Sequence, residues 1–345
     1  MLTRRQWLAL IPAGLARAQA PVPFERIDTH VHLNRLSRPI LAGLQSANWR
    51  VLSISVSRAT GTDPSDLDAQ LRGNAEMARE SKGRVAWATS FDARRWQDAD
   101  FAGSTIAGLK EQFRQGAIAV KIWKNIGMSL RTKTGRYLQP DDAAFQPIYA
   151  MLEKENHTLI AHLAEPNGAW LPLDDHNPEK GFYSSHPEWH MHGQADAPSK
   201  EDILRARDRI AVRYPKLRVV GCHLGSNEED LEALAARLDR IPNFAVDLAA
   251  RIRYFAAGDR AKSQAFLVKY QDRIVYGTDF TVAPGGDDER AWSNLAATHD
   301  RDWQYLSSAD TMTYNRREVQ GLGLPADVLE KIFRKNALRW FPGIG

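Results

Sequence analysis

Eight short apolar runs separated by helix-patterned stretches constrain this chain more than any other feature. The runs are Phe24–His30, Val51–Ser57, Val85–Phe91, Ala117–Trp123, Thr158–Ala164, Arg218–Leu224, Phe244–Ala250 and Ile274–Phe280. They are rich in valine, isoleucine and alanine and turn polar only near their C-terminal ends, as strands buried on both faces do. The stretches between them carry helix start and stop signals: Ser65–Lys82 follows Pro64 and ends at Gly83, Ser104–Gln115 ends at Gly116, and Asp142–Glu155 follows Pro140. Ser199–Tyr214, Glu228–Arg240, Asp259–Tyr270 and Pro325–Trp340 continue the alternation. The connection between the first two runs has the least regular helical pattern. Such alternation predicts an α/β protein, a single (β/α)8 TIM barrel with a long loop after strand five. Two doubly wound domains fit less well, because no glycine-rich phosphate turn follows an early strand. Long loops are expected after strands five and eight. The fifth, Glu165–Pro198, holds Trp170, Phe182, Tyr183, Trp189 and four histidines, a composition suited to a lid rather than to disorder.

At 43% hydrophobic and 26% charged residues the composition is globular, with no repeat or biased tract to divide it. The formal charge of +4 owes three units to Arg4, Arg5 and Arg17, so the remainder carries +1 and calls for no nucleic-acid partner. Those arginines, the apolar run to Leu15 and the small-x-small triplet Ala16-Arg17-Ala18 read as a twin-arginine-type signal peptide over residues 1–18. The expectation is therefore a cleaved leader and a barrel over residues 19–345, in a periplasmic or secreted protein. The leader's apolar run is too short for a permanent span, so no stable membrane insertion is expected. Cys222 is the only cysteine, which excludes an intrachain disulfide. The expected partners are a small-molecule substrate and, in a homo-oligomer, other copies of the chain.

Chemistry-bearing residues collect where barrel enzymes place their sites, at the C-terminal ends of strands. In Ile27-Asp28-Thr29-His30-Val31-His32 the period of two puts His30 and His32 on one face, two imidazoles able to share a metal ion. Lys121 interrupts the fourth strand, and His162 lies on the fifth, His223 on the sixth and Asp279 on the eighth, each near the C-terminal end. Each alone has a plainer reading. A lone strand histidine is more often a hydrogen-bonded core residue, an aspartate a cap, a lysine a snorkelling edge residue. Five strand ends each carrying such a group is harder to dismiss, since buried ionisable groups are costly unless they pair or bind metal. Trp123, Lys124, Glu165 and Arg251 lie just beyond these positions, Lys124 and Arg251 being candidates to hold a substrate carboxylate or, equally, ordinary ion-pair cations. His190-Met191-His192 repeats the spacing of the first motif, but no strand supports it.

Asp28-Thr29-His30-Val31-His32, His162, Gly221-Cys222-His223-Leu224-Gly225, Tyr276-Gly277-Thr278-Asp279-Phe280 and the closing Asn336–Phe341 together resemble the amidohydrolase superfamily. The likeness is nearest to the branch that includes aminocarboxymuconate-semialdehyde decarboxylase-like enzymes and lactone hydrolases. It implies a divalent ion, zinc being the expected one, held by His30, His32, His162 and Asp279. Asp279 would be the general base and His223 an electrophile, a water-orienting group or a ligand to a second ion. Lys121 would be a carboxylated bridge between two ions or a cation for a substrate carboxylate, and single-metal members lack the bridge. The implied reaction is hydrolysis of an ester, lactone or amide by metal-bound hydroxide. The alternatives are non-oxidative decarboxylation of an aromatic or muconate-like acid on the same scaffold, or a binding protein on a retired barrel. The last is disfavoured because Asp279 is present with every histidine.

Overall fold

The structure is a computed structural model that describes residues 22–57 and 65–345; the expected leader lies outside the described residues. One parallel sheet of nine strands forms its centre, in the order β8-β7-β6-β5-β4-β3-β2-β1-β9. The strands are β1 (Arg26–His32), β2 (Trp49–Ile54), β3 (Val85–Ser90), β4 (Ala117–Ile122), β5 (Thr158–Ala161), β6 (Arg218–Gly221), β7 (Phe244–Asp247), β8 (Ile274–Val275) and β9 (Phe280–Thr281). All eight apolar runs are represented. The eighth is split, Ile274–Val275 pairing with β7 and Phe280–Thr281 with β1. The stretch between these halves also binds β1, through Thr29 N to Tyr276 O (2.9 Å) and Asp279 N to His30 O (2.8 Å). Asp279 has a positive φ of 64°, which interrupts regular strand geometry there.

Alternation along each strand divides the core. Ile27, Ile54, Ala88, Ala119, Ile160 and Val220 form a cluster inside the sheet's curve, where small residues make room for larger ones opposite. Val31, Val51, Val85, Val120, Leu159 and Val219 face outward into the layer shared with the helices. Ala337, Trp340, Phe341 and Ile344 join the inner cluster, and Trp340 O accepts a hydrogen bond from Thr158 Oγ1 (2.5 Å) at the start of β5. The chain's end therefore closes the N-terminal side of the strands and leaves the C-terminal side for the site.

Helices occupy the predicted connections: α1 (Arg38–Ser46), α2 (Ser65–Glu80), α3 (Phe101–Arg114), α4 (Gln146–Lys154), α5 (Lys200–Arg213), α6 (Leu231–Arg240), α7 (Ile252–Ala257) and α8 (Arg260–Lys269). The irregular first connection does form a helix, capped by Ser37, whose side chain accepts from Ile40 N. Ser199 and Asp202 make a full capping box at α5. The long loop expected after strand eight is a correction. That stretch is α9 (Asp288–Ser307), followed by an antiparallel hairpin of β10 (Thr311–Tyr314) and β11 (Arg317–Gln320). The buried face of α9 includes His299 and Asp302 beside Leu295, Trp303 and Leu306, so polar residues break its apolar stripe. No helix among the described residues is long and apolar enough to cross a membrane.

Candidate metal centre

The first two histidines are fixed from behind. The register of β1 on β2 slips between Asp28 and Val31, a bulge of the kind that re-aims side chains beside active sites. His32 Nδ1 donates to Ile54 O at 2.7 Å, and His30 Nδ1 bonds Asp247 Oδ2 at 2.8 Å. With both Nδ1 positions engaged, each Nε2 points forward, and each lies 3.3 Å from Asp279 Oδ1. The three donor atoms fall within 4.8 Å of one another, two imidazole nitrogens and a carboxylate oxygen such as a divalent ion takes. A residue behind each histidine that fixes its tautomer is the arrangement metal sites use. Asp279 remains 34% exposed at its side chain while the histidines are buried, so the trio opens on the aspartate's side. Gly277 is required by this crowding: a Cβ there would lie 2.9 Å from the Cβ of His30.

Lys121, Cys222 and His223 flank the trio. Lys121 is buried, its Nζ 3.3 Å from His30 Nε2 and donating to Cys222 Sγ at 3.0 Å. His223 belongs to a left-handed turn, with His223, Leu224, Gly225 and Ser226 all near φ +58°. Such a run disfavours L-residues and persists only where the surroundings enforce it. Here Asp247 Oδ1 accepts from His223 N (2.6 Å), buried Arg207 donates to Gly225 O (2.6 Å), and Ser226 Oγ donates to Leu163 O (2.7 Å). The turn presents His223 with Nδ1 bonded to Ala249 O (2.8 Å) and Nε2 3.3 Å from His162 Nδ1. His162 thus meets His223 and is not one of the three converging donors. Asp247 joins the site without having been assigned a role from sequence. It ties His30 Nδ1 to the backbone N–H groups of His223 and Ala249. An acid ending the apolar strand Phe244–Asp247 is the same signal that singled out Lys121.

Charge and burial set the protonation pattern. Burial works against ionisation of Asp279, but His223, His32 and His30 outweigh it and hold its carboxyl well below the usual range. Asp247 is likewise opposed by burial and drawn down to about 2 by His30. Burial lowers His32, lowers His162 well below its ordinary value, and takes His223 to about 3. His30 differs: burial and Lys121 press it down, while Asp247 on its Nδ1 prevails and raises it to about 10.

The outer candidates are already paired. Lys124 and Glu165 form a buried ion pair, and Lys124 Nζ lies 4.4 Å from the ring centre of Trp189 and 5.3 Å from that of Trp123. Trp123 also meets His162 edge-on at 6.4 Å. Arg251 Nε sits 3.5 Å from Glu228 Oε1. Tyr183 and Trp189, from the stretch after β5, are buried against this layer, with Tyr183 OH 3.4 Å from Glu165 Oε2. The loop's histidines face elsewhere: His186, His190 and His192 bond the backbone oxygens of Phe182, Leu171 and Trp170.

The model of a protein family described as amidohydrolase matches residues 27–343. The chain belongs to the amidohydrolase family. It is therefore an enzyme, and this amidohydrolase is similar in fold to several solved structures. One is a proposed amidohydrolase from Staphylococcus aureus, with 13% identity, 91% of this chain and 99% of that one covered, and a TM-score of 0.50. Another is a proposed 2-pyrone-4,6-dicarboxylic acid hydrolase from Pseudomonas putida, with 14% identity, 93% and 98% covered, and a TM-score of 0.49. A third is 5-carboxyvanillate decarboxylase from Novosphingobium aromaticivorans with bound manganese, with 14% identity, 92% and 97% covered, and a TM-score of 0.49. At this identity the likeness to the Staphylococcus aureus structure shows the fold alone. No curated protein matches this amidohydrolase by sequence.

Proposed function

We propose that this amidohydrolase is a metal-dependent hydrolase of an ester, lactone or amide, with Asp279 as general base. The observation that carries the reading is the convergence of His30 Nε2 and His32 Nε2 on Asp279 Oδ1 while both Nδ1 atoms are engaged behind. We read the sheet as a (β/α)8 barrel, β8 and β9 being two halves of one strand that bonds β7 and β1 in turn. The site then lies where barrel enzymes keep theirs. His30, His32 and Asp279 would hold a divalent ion, in our reading zinc, which when bound would supply Lewis-acid charge and lower the pKa of water.

The chain's own residues supply the rest. Asp279, ionised and partly open, accepts a proton from the attacking water at its carboxylate and returns it to the leaving group. His223, with Nδ1 donating to Ala249 O, is left with an acceptor at Nε2, so in this tautomer it orients water or holds an ion instead of donating to a carbonyl. Asp247 keeps His30 and His223 in register. Lys124 and Arg251, beside Glu165 and Glu228, are our candidates to hold a substrate carboxylate. Lys121 sits closer in, against His30.

The test is a turnover screen of metal-loaded protein on lactones, esters, amides and aromatic acids, with product analysis. A new carboxylate formed without carbon dioxide supports the proposal. Carbon dioxide release with a proton placed on carbon overturns it in favour of a decarboxylase. We further propose export by the twin-arginine route; cell fractionation that leaves the unprocessed protein in the cytoplasm would contradict that.

A further inference from the structure

Two residues before His30, the carboxylate of Asp28 is buried at the junction of β1 with the split eighth strand. Its Oδ1 accepts from the backbone N–H of His30 (3.0 Å) and of Thr278 (3.1 Å). Its Oδ2 accepts from Thr278 Oγ1 (2.7 Å) and from His299 Nε2 (2.9 Å). One side chain therefore ties the strand that carries the histidine pair to the residue before Asp279. His299 reaches it from α9, lying flat on Trp49 with ring centres 3.8 Å apart and planes at 18°. It touches none of the converging donor atoms.

His299 is an odd choice for packing alone. It is buried, and its Nδ1 has no hydrogen-bond partner among the described residues. A buried polar atom without a partner detracts from stability, so an apolar residue of similar size would serve the core better. What an apolar residue cannot do is donate to Asp28. With Nε2–H directed at Oδ2, the carboxylate stays in the one orientation that leaves Oδ1 for the two backbone N–H groups.

We propose that His299 and Asp28 are a positioning pair that sets the distance between His30 and Asp279, and through it the affinity of the centre for its ion. The proposal rests on the metal reading above. Partners behind metal ligands typically govern affinity by ten- to a hundredfold, and a residue one step further back is expected near the lower end, roughly tenfold.

The experiment measures zinc and manganese affinity by competition with a chromophoric chelator, for wild type, His299→Leu and His299→Gln, alongside the melting temperature of each metal-free protein. His299→Leu should bind the ion about tenfold more weakly, with a metal-free melting temperature lowered by the donor lost to the buried Asp28 carboxylate. His299→Gln keeps an N–H that reaches Asp28 and should recover most of the affinity. Should His299→Leu fail to fold, His299→Asn, whose amide is too short to reach Asp28, takes its place with the same expectation. Wild-type affinity in the variant that lacks the donor overturns the pair's role. So does an equal loss in the glutamine variant. Wild type that takes up no ion overturns the metal centre itself, and the pair's role with it.

Discussion

In the proposed mechanism Asp279 separates holding an ion from using one. Its backbone N–H is fixed to His30 O and its carboxylate faces both Nε2 atoms, so replacing one oxygen by an amide preserves shape while removing the base. Asp279→Asn should retain the fold and most bound metal and lose turnover by roughly 10²–10⁴, the usual worth of a positioned general base. Steady-state kinetics with metal analysis checks this, and near wild-type turnover would reassign the base. Most residues of the site were legible because each is a polar interruption in an apolar strand: His30, Lys121 and Asp279 needed only the strand pattern and its end. Asp247 carries the same signal yet drew no assigned role, since its partners, His30 Nδ1 and two backbone N–H groups, are tertiary contacts that spacing does not reveal. Pairing partners were equally hidden: Lys124 and Arg251 read equally as substrate-carboxylate or ion-pair cations, and only the fold shows Glu165 and Glu228 beside them.

Among the elements, the left-handed turn after β6 concentrates the most strain near the site. Gly225 stands at φ +59°, and a Cβ there would lie 3.0 Å from Arg207 Nη1 and 3.1 Å from Phe244 Cζ. Gly225→Ala should cost about 1–2 kcal/mol from the left-handed backbone, with crowding in addition. Because relief shifts the turn that carries His223, activity should fall more steeply than stability. Thermal melts beside kcat measurements decide it: a melting shift with kcat intact would mean His223 is held independently of the turn. No periodicity argument foresees this turn, since Gly-Cys-His-Leu-Gly reads simply as a strand end. For α9 the obstacle differs. Its cap is ordinary, Asp287 accepting from Arg290 N, but His299 and Asp302 occupy core-facing positions that an amphipathic search expects to be apolar. The β-strands suffered no such masking, being buried on both faces and apolar almost throughout.

Over the whole molecule, an ion held as proposed by His30, His32 and Asp279 would fasten β1 to the segment after β8, the two ends of the strand order. A ligand that binds only the folded state stabilises it by mass action, about 2.7 kcal/mol at a hundredfold excess over Kd. Chelation should therefore lower the melting temperature by roughly 4 °C for a chain of this size, and added zinc should restore it. An unchanged melt after complete metal removal would contradict an ion at that junction. Added bicarbonate tests the role of Lys121 separately. Bicarbonate-dependent uptake of a second ion indicates a carboxylated bridge, and one ion regardless of bicarbonate indicates that Lys121 acts as an amine beside His30 and Cys222. We propose that His30 and His32 hold a catalytic ion with Asp279. The most direct test is the metal content of purified protein expressed with zinc and manganese available, for wild type and for His30→Ala/His32→Ala. One or two divalent ions per wild-type chain and near-complete loss in the double variant are expected. A wild type with no ion, or a double variant that keeps its metal, would contradict the proposal.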